Sequence, residues 1–319
     1  MGIELEGPIL GMFPGQGSQR PGMATALRAD HHEAAAVFAT ADAVLEQPIS
    51  QLCSTGSEEE LQRTDITQPA VVATSLAIWD VLRARGFEPA AVAGHSLGEF
   101  AALAAAGVLT YEQALLLVAR RGELMAQVGE SVPGAMLAII GLSAERVEEL
   151  CEQAPGAEVA NYNEPEQTVI SGTATAIAEV ETAALAAGAE KCVRLKVGAP
   201  FHCSLMDAIA ADFGAELDRQ PFADPRMTVI SSVTAAPLRS GAEARILLRR
   251  QLSGSVQWVR TVRAALNGGS TTLVEIGPGR ALTGFAKRIA PEAQTLGTGN
   301  PKNLAAVLAA LENARAIAS

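Results

Sequence analysis

A serine between two glycines, in Gly94-His95-Ser96-Leu97-Gly98-Glu99, stands where the apolar run Ala90 to Ala93 gives way to a helical run from Phe100 to Ala106. A strand that turns this sharply into a helix accepts only small residues beside the turn. It leaves the serine hydroxyl exposed next to free backbone N–H groups at a helix start, which is the geometry of a nucleophile elbow. Ser96 is therefore the candidate nucleophile, and a hydroxyl needs a base to take its proton. The chain has four histidines. His31 and His32 lie in the polar helix start Asp30-His31-His32-Glu33 and read as solvated surface. His95 is inside the elbow, where adjacent side chains point apart, and reads as shaping the turn. His202, in Gly198-Ala199-Pro200-Phe201-His202-Cys203-Ser204, is the candidate base. Its second ring nitrogen needs an acceptor. Asp207, five residues further on in the same helix, does not obviously reach back, and a backbone carbonyl would serve as well, so both remain open.

A third residue bears on what is bound. Between Thr110 and Gln127, Ala114, Leu117, Val118, Arg121 and Met125 follow the i, i+3, i+4, i+7 spacing of one apolar helix stripe, so Arg121 faces inward. Arg120 is rotated about 100° away, where Glu123 can pair with it three residues on. A buried guanidinium is costly without a partner, so Arg121 must meet a carboxylate, either of the protein or of a ligand.

The elements that position these residues alternate short β-branched runs with Ala/Leu-rich helical runs, the pattern of a mainly parallel sheet covered by helices. Strands are expected at Ile9 to Phe13, Ala90 to Ala93, Met227 to Ser231 and Thr272 to Ile276. Helices are expected from about residue 20 to Val44 and from Ala70 to Arg85, with another after Gly277-Pro278-Gly279. The middle changes rhythm. Strands at Ala135 to Gly141, Val159 to Asn163, Gln167 to Ser171 and Cys192 to Val197, with helices at Ala144 to Gln153 and Ala174 to Ala187, give the order βαββαβ of a ferredoxin-like unit. The expected architecture is thus α/β: a large domain of residues 1–131 and 197–319, with a small subdomain of residues 132–196 inserted. The cleft between the two bodies, with His202 at its mouth, is the expected ligand site.

Composition narrows the function. The chain has 319 residues, 49% hydrophobic and 18% charged, which fits a globular protein. No apolar run approaches the ~18 residues of a membrane span. The acidic start Met1-Gly2-Ile3-Glu4-Leu5-Glu6 lacks the marks of a signal peptide, so a cytoplasmic location is expected. Cys53, Cys151, Cys192 and Cys203 form no Cys-x-x-Cys pair and read as reduced, mostly buried thiols. A net charge of −11 argues against nucleic-acid binding. The string Gly15-Gln16-Gly17-Ser18-Gln19-Arg20 lacks the third glycine of a dinucleotide fingerprint and no phosphate loop with its lysine occurs, so no nucleotide cofactor is expected. Basic residues gather at Lys191, Arg194 and Lys196, at Arg249-Arg250 and at Lys287-Arg288, where an acidic partner could dock if they converge; scattered solubilising charge is the plainer alternative.

Taken with Phe13-Pro14-Gly15-Gln16-Gly17-Ser18-Gln19, Thr67-Gln68-Pro69-Ala70, Arg121-Gly122, Gly134-Ala135-Met136, Asn161-Tyr162-Asn163, Arg250-Gln251-Leu252, Val256-Gln257-Trp258 and Glu275-Ile276-Gly277-Pro278-Gly279, the elbow and His202 make nearly the whole chain resemble the malonyl-coenzyme A:acyl-carrier-protein transacylases of fatty acid and polyketide synthesis. The large domain is expected to be α/β-hydrolase-like. The resemblance implies that Ser96 is acylated with His202 as base, that the Gln251 main-chain carbonyl orients His202, and that the Gln16 and Leu97 amides form an oxyanion hole. It implies further that Arg121 clamps the malonyl carboxylate, and that Gln68, Asn163 and Phe201 line the substrate site. Leu97 and Phe201 match malonyl-selective relatives, whereas methylmalonyl-selective ones often carry glutamine after the serine; Phe201 also departs from the serine common in bacterial housekeeping members. Lys191, Arg194, Arg249 and Arg250 are the expected docking residues for the acidic carrier protein. No metal or cofactor is implied beyond the phosphopantetheine of the partner, and a monomer is expected. An editing hydrolase or esterase, a polyketide acyltransferase using another carboxylated unit, and a silent carrier-docking module are the rivals.

Overall fold

The computed structural model describes residues 5–318, so most of the acidic start lies outside the described residues. Nine strands are present among them: β1 Ile9–Phe13, β2 Ala91–Gly94, β3 Gly134–Ile140, β4 Ala157–Glu164, β5 Gln167–Thr173, β6 Lys191–Arg194, β7 Thr228–Ile230, β8 Thr272–Glu275 and β9 Gln294–Gly297. They divide into a parallel sheet of order β7-β2-β1-β8-β9 and an antiparallel sheet of order β4-β5-β3-β6.

In the parallel sheet β1, β2 and β8 are buried along their whole length, as strands covered on both faces must be. Successive side chains alternate between two cores. Ile9 and Phe13 join the larger core with Val92 and Val274, while Leu10 and Met12 face Trp258, Val262 and Leu282 on the other side. The chain builds outward from β1 through β2 to β7, then returns to the other side of β1 for β8 and β9. Strand order reverses at β1, and in open α/β sheets the crevice at the carboxyl ends of the strands around such a reversal is where ligands bind.

The second sheet is the βαββαβ unit expected from the sequence. Leu137, Ile139 and Ile170 pack under Val147 and Leu150 of the helix Ala144–Glu152 and Ile177 and Val180 of the helix Ala174–Ala186. Its other face, through Met136, Ala138 and Val169, joins the large core. The segment around Val256 stitches the bodies together: the Val256 amide donates to the Ala160 carbonyl at 2.8 Å, and its carbonyl accepts from the Tyr162 amide at 2.9 Å.

Several expected bounds move, among them the helix expected to end at Gln127, which runs to Ser131. The helix expected from Ala70 begins at Thr64 and runs to Ala84, with Pro69 inside it. Proline lacks the N–H that the Asp65 carbonyl would accept, but so near the helix start the loss is a single bond. The strand expected to reach Val197 ends at Arg194.

Candidate active site

The elbow forms because Gly94 and Gly98 admit two close backbone approaches. A Cβ on Gly94 would lie 2.1 Å from the Glu99 nitrogen, and one on Gly98 would lie 2.0 Å from the Phe13 carbonyl oxygen, so neither position accepts a side chain. Between them Ser96 takes a left-handed φ of +50°. His202 does the same at +59°. Non-glycine residues rarely adopt this region, and they persist in it only when surrounding contacts fix them.

Those contacts bring the two residues together. Ser96 Oγ lies 2.6 Å from His202 Nε2. His202 Nδ1 faces only carbonyls, Gln251 O at 2.9 Å and Gly254 O at 3.1 Å. It must therefore carry the proton and donate, which leaves the Nε2 lone pair for the serine hydroxyl. Asp207 is exposed and makes no bond to the ring, so of the two acceptors left open the carbonyl is the one used. His202 is 3% exposed. Burial, reinforced by the charge of Arg121 and by His95, pushes its pKa down to about 3, so the imidazole stays neutral. His95 also has its pKa lowered by burial, but it works elsewhere. Its Nε2 pairs with Asn163 Oδ1 at 2.8 Å and its ring packs on Trp258 and Phe285. His31 is less solvated than expected, half-buried with Nδ1 3.5 Å from Arg85 Nη2.

Arg121 faces inward as its stripe requires, 2% exposed and 5.8 Å above the Phe100 ring, while Arg120 pairs with Glu123 at 2.9 Å. It forms no ion pair with any carboxylate among the described residues. Nη1 donates to Gln68 Oε1 at 3.0 Å and Nη2 to Gln251 Oε1 at 3.3 Å; Nη2 also lies 3.4 Å from Ser96 Oγ, and Nε has no partner. The internal ion pair that would have made it purely structural is thus excluded. Burial pulls its pKa down to about 10, opposed by the charge of Glu99, which still leaves it cationic near neutral pH.

A cavity of about 200 Å³ opens over the serine. Its walls include Gln16, His95, Ser96, Asn161, Asn163, Phe201 and His202, with Met136 and Val169 from the small sheet and Leu282 and Phe285 after β8. Gln68 and Arg121 stand behind the serine and outside these walls: Gln68 supports the arginine and donates Nε2 to Met125 Sδ at 3.3 Å. Asn163 lines the cavity but its carbonyl oxygen is taken up by His95. Neither the Gln16 nor the Leu97 amide finds an acceptor among the described residues, and both flank the serine, at the end of β1 and at the start of the helix Gly98–Ala105. An adjoining hollow of about 340 Å³ shares Gln16, Gly17, Leu195 and Val197 and is edged by Arg20 and Lys196. Another, of about 280 Å³ between Met23, Ile78 and Leu304, is lined by Arg20 and His31 but by neither Ser96, His202 nor Arg121.

The basic residues do not form one bonded cluster. Arg194 pairs with Glu181 at 2.6 Å, Arg249 with Asp218 at 2.9 Å and Arg288 with Glu164 at 2.7 Å. Lys191, Lys196 and Arg250 form no ion pair among the described residues. Cys53, Cys151 and Cys203 are buried free thiols, and Cys192 is only half-buried. No group of three or more possible metal-binding residues occurs among the described residues, and no described helix is long and apolar enough to cross a membrane.

Two contributions escaped the sequence: the second carbonyl, of Gly254, and the side chain of Glu99. Glu99 is 2% exposed and accepts from Ser232 Oγ at 2.6 Å and Gln251 Nε2 at 2.7 Å. The available signal was an acid directly ahead of the apolar run Phe100-Ala101-Ala102-Leu103.

Residues 12–299 match the family model of the acyl transferase domain. The chain is 38% identical over 301 residues to the malonyl CoA-acyl carrier protein transacylase of Salmonella typhimurium, covering 93% of this chain and 97% of that protein. It is 36% identical over 297 residues to that of Bacillus subtilis, covering 92% and 94%. Among solved structures, the malonyl CoA-acyl carrier protein transacylase of Coxiella burnetii superposes with a TM-score of 0.91 at 34% identity, covering 95% of this chain and 98% of that one. A malonyl-transacylase in complex with its type II polyketide synthase acyl carrier protein does so with 0.91 at 38% identity, covering 96% and 99%.

Proposed function

This chain belongs to the acyl transferase family, and from that premise we propose that it moves a malonyl group from malonyl-coenzyme A to the phosphopantetheine thiol of an acyl carrier protein through a malonyl-Ser96 ester. The observation that carries this reading is a buried cationic guanidinium with no carboxylate partner among the described residues, held by two neutral amide oxygens with one nitrogen 3.4 Å from the nucleophile.

His202 Nε2 takes the Ser96 proton as Oγ attacks the thioester carbon. The developing oxyanion is met by the Gln16 and Leu97 amides, donors that need no reorganisation. The C–S bond then breaks and the departing thiolate takes the proton from His202. In the second half the carrier thiol gives its proton to His202 and attacks the ester, and Ser96 leaves with that proton. The two carbonyls on Nδ1 hold the ring in the tautomer both halves need. Protonating His202 beside Arg121 puts two cations together, so a carboxylate on Arg121 raises the proton affinity of the base as it binds. Malonyl satisfies the clamp, whereas acetyl leaves it unpaired. The hollow edged by Arg20 and Lys196 is the route for the thioester arm. Docking of the acidic carrier falls to Lys191, Arg194, Arg249 and Arg250, of which Lys191 and Arg250 have no ion pair to break among the described residues. Gln68 acts on the acyl group through Arg121, whereas Asn163 holds His95 in the cavity wall. The small subdomain of residues 132–196 closes the cleft as a monomeric, cytoplasmic enzyme would use it, without metal or redox cofactor.

Intact-protein mass spectrometry tests this directly. Incubation with mixed malonyl-, methylmalonyl- and acetyl-coenzyme A is expected to give a malonyl adduct on Ser96 that is discharged only when holo carrier protein is added. Discharge to water at the same rate without carrier would make the protein a hydrolase.

A further inference from the structure

Arg121 and Glu99 are both buried, neither forms an ion pair among the described residues, and a single side-chain amide stands between them. Gln251 presents Oε1 to Arg121 Nη2 at 3.3 Å, and its Nε2 donates to Glu99 Oε2 at 2.7 Å and to the Ser96 carbonyl at 3.1 Å. The main-chain carbonyl of the same Gln251 accepts from His202 Nδ1 at 2.9 Å.

We propose that Glu99 is a positioning residue for acyl selection: it locks the Gln251 amide in the orientation that offers an acceptor to Arg121, and so holds the guanidinium at the acyl end of the nucleophile. Burial raises the Glu99 pKa, opposed by hydrogen bonds from Ser232, Ser231 and Gln251. Oε2, the oxygen that meets Gln251, also accepts from Ser232 Oγ and so offers the amide a lone pair, while a guanidinium only donates. With the amide as observed, every contact joins a donor to an acceptor. Flipped, its NH2 would face the guanidinium and its oxygen would face two acceptors, leaving buried polar groups unpaired at both ends. Ser232, which donates to Glu99 at 2.6 Å, fixes the acid in turn. Glu99 therefore reaches the acyl group through Gln251 and Arg121 without touching substrate. Because Gln251 also orients the base, the acyl clamp and the dyad share one residue.

The inference rests on the malonyl reading above, and Glu99→Gln separates the two. Glutamine at 99 can donate as well as accept, so the flipped amide becomes tolerable and Arg121 loses an acceptor in part of the population. Malonyl acylation, read as kcat/KM by quench and mass spectrometry, is expected to fall about tenfold while acetyl acylation changes by less than about threefold. In an Arg121→Ala background Glu99→Gln should then leave the malonyl-to-acetyl ratio where it is, because the path it acts through is gone. A Glu99→Gln protein with an unchanged ratio, or with equal losses for both acyl groups, overturns the proposal. So does a ratio that still shifts in the Arg121→Ala background. Should Glu99→Gln fail to fold, Gln251→Leu reads the relay from its other end while keeping the main-chain carbonyl, and an unchanged ratio there is equally fatal. A wild-type protein that takes up no malonyl at all instead sinks the functional reading.

Discussion

The two sheets meet at one cavity and contribute to it in different ways. From the parallel body come Ser96 just after β2, Gln16 after β1, Arg121 on a helix and Gln251 capping the helix Gly241–Arg250; beside the strained Ser96 backbone, Gly98 meets the Phe13 carbonyl in a contact that no side chain could survive. From the antiparallel sheet come Met136 and Val169, on regularly paired strands, and Asn163, at a register shift of β4, with no reactive group among them. His202 and Phe201 lie on the link that carries the chain back. In the proposed mechanism one body does the chemistry and the other shapes the space, so substitutions in the first should change rate and those in the second fit or stability.

The sharpest test of that division is Ser96→Ala. Loss of the malonyl adduct with about a 10⁶-fold fall in transfer is expected, as for nucleophiles elsewhere; any adduct that survives at another residue breaks the assignment. Arg121→Ala is next. Removing a charged bidentate clamp should cost malonyl acylation about 10²- to 10³-fold and acetyl acylation far less, measured as the ratio of kcat/KM values. The third concerns pH. A base must be neutral to act, and burial holds the His202 pKa at about 3, so kcat/KM for acylation should stay flat from pH 7 to pH 5. An ordinary histidine would lose about twenty-fivefold over that range. Fourth, Phe201→Ala at the junction should raise methylmalonyl acylation relative to malonyl by about tenfold without lowering the malonyl rate much, since one methyl group is worth ~1–3 kcal/mol in a pocket. Smallest is Asn163→Ala on the antiparallel sheet. It leaves buried His95 without its partner, so thermal denaturation should show a loss of about 1–3 kcal/mol while acylation stays near wild type. A large rate loss there would blur the line between the two bodies.

Legibility in the sequence followed the range of the interactions. β1 was readable to the residue because its apolar run is bounded by punctuation, Pro8 before and Pro14-Gly15 after. Arg121 was readable because a helix stripe is a local pattern. The helix start at Thr64 was hidden because Pro69 looks like a first-turn residue, and β9, Gln294–Gly297, was hidden because it is a short, half-buried edge strand with little apolar signal. What holds the site together was least visible. Glu99 meets Gln251 across 152 positions and His95 meets Asn163 across 68. No local spacing encodes such pairs. The resemblance supplied the Gln251 carbonyl, but neither it nor any pattern supplied what the Gln251 side chain does.

The register of β1 has a consequence for how the protein is made. One edge of this apolar strand pairs with β2, from Leu10 opposite Ala91 onward, but the other is covered only by β8, with Ile9 opposite Thr272. During synthesis the central strand must wait with an open edge until most of the chain has left the ribosome. An exposed, uncharged strand edge is a template for wrong pairing. The nascent chain therefore passes through a long interval in which its first strand is its most aggregation-prone part, and a carboxyl-terminal truncation short of β8 would prolong that interval indefinitely.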